Sequence, residues 1–315
     1  LPMISVIITS FKEPKTIGRC IKCIADRKYS GITSPFEIIQ VSPDELTLKA
    51  GKKEANILGL SKREYRHIID PHKGKPTALK MALEKAKGEI IILTDGDTYF
   101  EENAVAELTK PFENETVGGV SGRPKSQDEK NNAFGYWGHL LSDAADHRRS
   151  RTMVQINEKD YYISENTFFP MSGYIMAIRN LKFDIPVNVL SDDAYISYTL
   201  RNMDMNIAYA PKAVCYVKYP TNLKDYYKQK VRSIGGFKQL ERFDVFKKDK
   251  QSRSFFIELP YAFYVFKYAK NFNEFIWSIC LFPIRLITWI KILWERVILR
   301  KDMGKNGWER IESTK

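Results

Sequence analysis

Two pairs of acids in this chain have types and spacing that could do chemistry together. Asp95 and Asp97, separated by Gly96, close the apolar run Ile90-Ile91-Ile92-Leu93-Thr94. Such a run reads as a buried parallel strand. The end of a strand in an open α/β sheet is where ligands bind. Two carboxylates placed there suit a hard divalent cation, and such a cation suits a diphosphate. The implied chemistry is that of nucleotides. The second pair, Asp192 and Asp193, follows Val189-Leu190 and invites an acid–base role. Each pair alone has a plainer explanation. Asp-Gly-Asp is commonly a solvated turn, and adjacent acids commonly balance a helix macrodipole.

The elements needed to position these acids can be read from the pattern. Residues Ile4 to Ile8 form an expected strand, and Thr16 to Asp26 an expected helix with Ile17, Cys20, Ile21 and Ile24 on one side. Phe36 to Val41 is a second strand, Glu54 to Leu60 a helical stretch, and Tyr65 to Ile69 a third strand. Thr77 to Lys87 reads as a helix closed by Gly88, leading into the strand that delivers Asp95. Strands alternating with helices imply parallel pairing through right-handed crossovers. Beyond Asp97, Val117 to Gly122 is a strand, Ala133 to Asp146 a helix, and Phe168 to Ile178 a strand and turn carrying Ser172-Gly173.

Composition narrows the function. The chain has 315 residues and a net charge of +12, from 50 basic and 38 acidic residues. That excess points to a polyanionic partner. The 4 cysteines make no disulfide framework, which favours a reducing compartment. Cys20 and Cys23 form a C-x-x-C, but no second pair or nearby His completes a zinc site. No signal-peptide pattern is present. The first strand is followed by no G-x-G-x-x-G, and no G-x-x-x-x-G-K-[ST] occurs, which disfavours dehydrogenases and P-loop NTPases. A nucleotidyltransferase would carry glycines where Thr9 to Pro14 has none. A nucleic-acid binder would explain the charge but not the acids at strand ends, so no nucleic-acid partner is expected.

The full set of motifs, in order, resembles the family-2 glycosyltransferases over residues 3 to 240. That family has the GT-A fold, an α/β Rossmann-like architecture with a mostly parallel central sheet flanked by helices. Thr9-Ser10-Phe11-Lys12-Glu13 is similar to the family's nucleotide-binding opening, and Asp44 sits near its acid for the base or ribose. Gly74-Lys75-Pro76-Thr77-Ala78-Leu79 resembles G-K-x-x-A-L, and Asp95-Gly96-Asp97 resembles the D-x-D metal motif. Ser172-Gly173 resembles the acceptor-side loop, and Asp192-Asp193 resembles the E-D motif whose second acid is the catalytic base. Gln229-Lys230-Val231-Arg232-Ser233 resembles Q-x-x-R-W, with Ser233 replacing the tryptophan.

The resemblance implies roles. Thr9, Phe11, Glu13, Asp44, Lys75, Asp95, Gln229 and Arg232 would hold a nucleotide-sugar donor, GDP-mannose or a UDP-hexose. Asp97 would carry Mn2+ or Mg2+. Ser172, Gly173 and Asp192 would face the acceptor, and Asp193 would act as general base in an inverting transfer. The replacement of the tryptophan by Ser233 argues for transfer of one sugar rather than processive synthesis. A processive polysaccharide synthase and a non-catalytic nucleotide-binding membrane adaptor are the alternatives.

The last third of the chain points to where this happens. Residues 1–217 are expected to form the catalytic domain, 218–253 a basic region closing the site, 254–300 amphipathic membrane-interface helices, and 301–315 a polar tail. Phe275, Ile279, Phe282, Leu286, Ile290, Leu293 and Val297 form a helical stripe, with Trp277, Trp289 and Trp294 suited to the headgroup zone. The longest uncharged run, between Glu274 and Arg285, is shorter than the ~20 residues a crossing needs. Pro260 and Pro283 are expected to divide the region into two or three helices. The expectation is a peripheral or monotopic protein on the cytoplasmic face of the cell membrane, binding an anionic membrane surface and a lipid-linked or glycolipid acceptor.

Overall fold

The computed structural model describes residues 2–156, 159–165, 167–182, 184–247, 264–297 and 311–314. The chain begins as β1 (Ile4–Thr9), α1 (Ile17–Ala25), α2 (Arg27–Ser30), β2 (Phe36–Ser42), α3 (Glu45–Ile57), β3 (Tyr65–Ile69), α4 (Lys75–Leu83) and β4 (Ile90–Asp95). It continues with β5 (Tyr99–Phe100), α5 (Ala104–Thr109), β6 (Val117–Ser126), α6 (Ala133–Thr152), β7 (Val154–Gln155), β8 (Tyr162–Ile163) and β9 (Ile175–Arg179). After these come α7 (Asp192–Asn202), β10 (Asn206–Val217), α8 (Leu223–Leu240), α9 (Tyr264–Tyr268) and α10 (Phe272–Val297).

The strands form one 10-stranded sheet in the order β3-β2-β1-β4-β9-β6-β10-β8-β7, with β5 also paired to β10. β3, β2, β1 and β4 are mutually parallel, and β6 is parallel to β10. β9 runs antiparallel between β4 and β6, so it reverses the direction locally and restores it. The central strands are apolar on both faces. Ile4, Val6 and Ile8 of β1 enter one core with Ile17 and Ile21 of α1 and Leu108 of α5. Ile7, Ile91 and Leu93 enter the other with Leu79 of α4, Ile196 of α7 and Phe237 of α8. The result is a three-layer α/β/α body, and the carboxyl ends of β1, β2, β3 and β4 open on one edge.

A third apolar cluster joins the C-terminal helices to that body. Tyr136, Trp137 and Leu140 of α6 meet Tyr226 of α8, Val265 of α9 and Leu281 of α10. Tyr136 and Ser278 hydroxyls lie 2.7 Å apart, and Trp137 Nε1 donates to the Trp277 carbonyl at 2.8 Å.

Several elements differ from the sequence expectation. α3 starts at Glu45 rather than Glu54, because Asp44 caps it by accepting the Thr47 N–H at 2.9 Å. α4 starts at Lys75, two residues early, and ends at Leu83. α6 runs on to Thr152. Of Phe168 to Ile178, only the end pairs as β9.

Pro283 does not divide its region: α10 is continuous through it. The proline ring lies on the exposed side and forfeits one bond, to Ile279 O. The flanking turns are held by Ser278 and Leu281 against α6. The expectation that no segment is long enough to cross a membrane is likewise corrected. Phe272–Ile292 is long and apolar enough to cross a membrane, by length and composition alone, and most of it is not buried against the rest of the protein. Pro260 and most of the 301–315 tail lie outside the described residues, as do the side chains of Leu293 and Val297.

Candidate active site

The site lies at the carboxyl edge of the sheet and has two chambers. The larger, about 470 Å³, is lined by Thr9, Phe11 and Glu13 after β1, by Gly74, and by Asp97. The smaller, about 290 Å³, is lined by Ser172, Gly173, Asp192, Asp193 and the aromatic rings of Phe169 and Tyr219. Lys75, Asp95, Tyr174, Gln229 and Arg232 line both and form the partition between them.

Lys75 is the centre of that partition. It sits at the first turn of α4, whose N-terminus Gly74 holds with φ of 97°, a conformation that favours glycine. Its ammonium meets Asp95 Oδ1 at 2.8 Å and Asp192 Oδ2 at 3.8 Å. Burial opposes the ammonium charge, but Asp192 and Asp95 outweigh it, so the Lys75 pKa is raised and the side chain stays charged. Burial likewise pushes the Asp192 carboxyl up, an effect that Lys75 only partly offsets. One acid of each pair is therefore committed to the same lysine. Asp95 Oδ1 also accepts the Thr9 hydroxyl at 2.8 Å, which ties β4 to β1.

The other acid of each pair faces a chamber. Asp97 follows Gly96, where a Cβ would come within 2.7 Å of Glu13 Oε2 and 2.8 Å of Ser10 Cβ. Only glycine lets the loop after β1 lie this close to the acids. Asp193 stands in the first turn of α7, where acids suit the positive end of the helix dipole. Its Oδ1 accepts the Ala194 N–H at 2.8 Å and its Oδ2 the Gly173 N–H at 3.2 Å. These bonds fix the carboxylate between the loop before β9 and the helix start.

Gln229 and Arg232 come from α8, one turn apart, and reach into both chambers. Phe11 packs on His72 with ring centroids 4.8 Å apart and the rings tilted by 40°, and both line the larger chamber. The remaining expected residue is placed differently. Asp44 caps α3 and accepts the Lys12 N–H at 2.7 Å, and Pro43 lines the chamber at this edge. Asp44 thus shapes the loop carrying Phe11 and Glu13. Asp70, Tyr174, Arg149 and Tyr219 line the chambers and were not singled out from sequence. Asp70 directly follows β3, and the rule that pointed to Asp95 would have found it. Its carboxyl accepts the His72 N–H at 2.8 Å, and burial pushes its pKa up.

The donor set bears on a metal. Among the described residues no group of three or more His, Cys, Asp or Glu side chains converges on one point. A cation held by Asp97, with Asp95 beside it, would therefore keep most coordination positions for other oxygens. This is the arrangement in which Mg2+ or Mn2+ binds through one or two carboxylates plus substrate phosphates. The residues fit such an ion.

Residues 2–236 match the family model described as "Glycosyltransferase like family 2", and the chain belongs to that family. It is 25% identical over 247 residues to a poly-beta-1,6-N-acetyl-D-glucosamine synthase of Staphylococcus epidermidis, covering 76% of this chain and 56% of that one. It is 27% identical over 182 residues to a hyaluronan synthase of Streptococcus pyogenes, covering 53% and 40%. The chain thus spans about half the length of these curated relatives. Among solved structures it resembles the mannosyltransferase PcManGT of Pyrobaculum calidifontis, in complex with GDP-Man and Mn2+. The TM-score is 0.61 at 16% identity, over 95% of this chain and 88% of that one. The likeness establishes the GT-A fold.

Proposed function

We propose that this protein is an inverting, metal-dependent glycosyltransferase that moves one sugar from a nucleotide-diphosphate sugar to an acceptor hydroxyl. The observation that carries the reading is the two-chamber cleft, with Asp97 in one chamber, Asp193 in the other, and Lys75 bridging their neighbours. The larger chamber takes the nucleotide. Phe11 and His72 offer aromatic ring surface to a base, and Arg232 supplies a planar donor fork suited to phosphate. Gln229 adds a hydrogen-bond donor beside it. Asp97 would hold Mn2+ or Mg2+, and the ion would neutralise charge on the departing diphosphate.

The smaller chamber takes the acceptor. A sugar hydroxyl is a poor nucleophile until its proton is removed, and Asp193 is the residue fixed to remove it. Its two backbone hydrogen bonds leave carboxylate lone pairs for that proton. Phe169 and Tyr219 give the acceptor apolar walls. Attack from the acceptor chamber while diphosphate leaves into the donor chamber is a single displacement with inversion.

The location is part of the proposal: the cytoplasmic face of the cell membrane. α10 turns Glu274, Ser278, Leu281, Thr288 and Ile292 inward and Phe275, Ile279, Leu286, Ile290 and Trp294 outward. Contact with α6 along one side favours a helix lying in the interface rather than crossing it. Residues 1–217 would form the catalytic body, 218–253 its basic closure, and 254–300 the membrane-facing part. A lipid-linked saccharide or glycolipid is the acceptor class that such a surface would present. The synthase relatives keep processive polymerisation as the second reading, and product length separates the two. The first test is a panel of nucleotide sugars, with Mn2+, read by thermal shift and by nucleotide release on adding glycolipid acceptors. Binding raises stability with the logarithm of ligand excess. A panel in which no donor shifts the melting point and no nucleotide is released would end the proposal.

A further inference from the structure

The turn at Glu312–Thr314 lies far along the chain from β1 and β4, yet it reaches the donor chamber. Ile311 and Thr314 line that chamber together with Asp97 and Arg232, and Ile311 is buried. The turn is of the 3₁₀ type, closed by Thr314 N–H to Ile311 O at 3.3 Å. In such a turn residues three apart eclipse one another. Ile311 and Thr314 therefore share the side that faces the cavity, and Ser313 is left to anchor the segment.

The anchor point is specific. Ser313 N–H donates to Asp225 Oδ2 at 2.9 Å, and the Ser313 hydroxyl also bonds this carboxyl. The same hydroxyl accepts the Thr221 N–H at 3.3 Å. Asp225 is buried in the first turn of α8. Asp225, Gln229 and Arg232 follow the i, i+4, i+7 rhythm and so lie along one helix face. A turn that merely filled a surface groove would have no reason to grip this face.

We propose that Ile311–Thr314 is an element of the donor site, a clasp that walls the chamber beside the nucleoside diphosphate and holds the Gln229–Arg232 face through Asp225. This rests on the reading that the larger chamber takes a nucleoside diphosphate. Ile311 extends the apolar wall begun by Phe11, and Thr314 brings a hydroxyl to the rim. Asp225 and Ser313 are positioning residues that act through the helix.

The experiment is calorimetric titration of the full chain with UDP and with GDP, each with Mn2+. Wild type is compared with Ser313→Ala, Ser313→Thr and Ile311→Ala. With whichever nucleotide the wild type binds, Ser313→Ala should weaken binding about five-fold, the equivalent of one ordinary hydrogen bond. Ile311→Ala should weaken it by a similar or larger factor, and Ser313→Thr, which keeps the hydroxyl and the N–H, should bind as wild type. Each titration is run well below the melting temperature of the variant concerned, so that weaker binding reports the site and not unfolding, and the recovery in Ser313→Thr separates the loss of the hydroxyl from a packing defect. Unchanged affinity in both alanine variants would overturn the clasp while leaving the donor chamber intact. Tighter binding would also overturn it, because the segment would then obstruct the chamber. A wild type that binds neither nucleotide would remove the donor reading and the clasp with it.

Discussion

The cleft and helix α10 both invert the ordinary rule of burial, and they invert it in opposite directions. An ordinary element of this fold, α1, buries Ile17, Cys20, Ile21 and Ile24 and leaves Arg19 and Lys22 outside. In the cleft, charged Lys75 and Asp192 are drawn inward. On α10, Glu274, Ser278 and Thr288 are drawn inward while Phe275, Ile279, Leu286 and Trp294 are pushed out. Buried charge and a large exposed apolar face are the informative departures from a folded protein's norm. In the cleft the departure is compensated by pairing within the chain. On α10 compensation would come from outside it. On the proposed reading, the comparison separates a surface for a charged small molecule from one for lipid.

The sharpest way to break the cleft side is Asp193→Asn. Turnover should fall ~10²–10⁴-fold, the usual contribution of a positioned base. Donor binding, followed by titration, should survive. Near-normal turnover would remove Asp193 from its role. Next, Lys75→Met leaves Asp95 and Asp192 facing each other without their cation. A melt should show a loss of ~3 kcal/mol, the low end for breaking a buried pair, since these side chains keep some exposure. A silent substitution would mean that the partition is not held by charge.

The α10 side is sharpened by Ile290→Glu and Leu286→Glu. Burying one such side chain is worth ~1.5–3 kcal/mol, so each change should weaken binding to anionic vesicles by ~10-fold or more, read by sedimentation. Indifference to both would reassign the exposed face to another partner. The smallest effect concerns the Asp225–Ser313 contact and pH. Hydrogen bonds led by the Ser313 hydroxyl hold the Asp225 pKa below its ordinary value. A lowered carboxylate pKa contributes stability that is present above the unfolded value and lost as pH falls through the folded one. The melting difference between wild type and Ser313→Ala should therefore be alike at pH 7 and pH 5, and shrink below about pH 4. A difference that is already lost at pH 5 would contradict the lowered value.

The central strands and both acid pairs were legible because each carries its own local signal. β4 is a pure apolar run with polar residues only at its end, and that pattern places Asp95 without knowledge of its neighbours. That Asp44 caps α3 was not legible, because a capping acid and a ligand acid look alike until the next N–H groups are placed. The direction of β9 was not legible, since alternation reports burial and not orientation. Pro283 misled because proline's cost is local, while the packing of Ser278 and Leu281 on α6 lies more than a hundred residues away in sequence. Asp225 and Ser313 gave no motif at all, and their meeting depends on the whole chain returning to the cleft.

The outward face of α10 also governs how this protein behaves in a tube. If that face meets lipid, as proposed, those side chains would find one another across molecules in plain aqueous buffer, and concentrated samples should scatter light and elute as broad assemblies. A mild detergent or a lipid nanodisc should return a single narrow species. The choice of amphiphile is therefore a variable of every assay, and activity lost during purification would mark a missing solvent rather than a damaged catalyst.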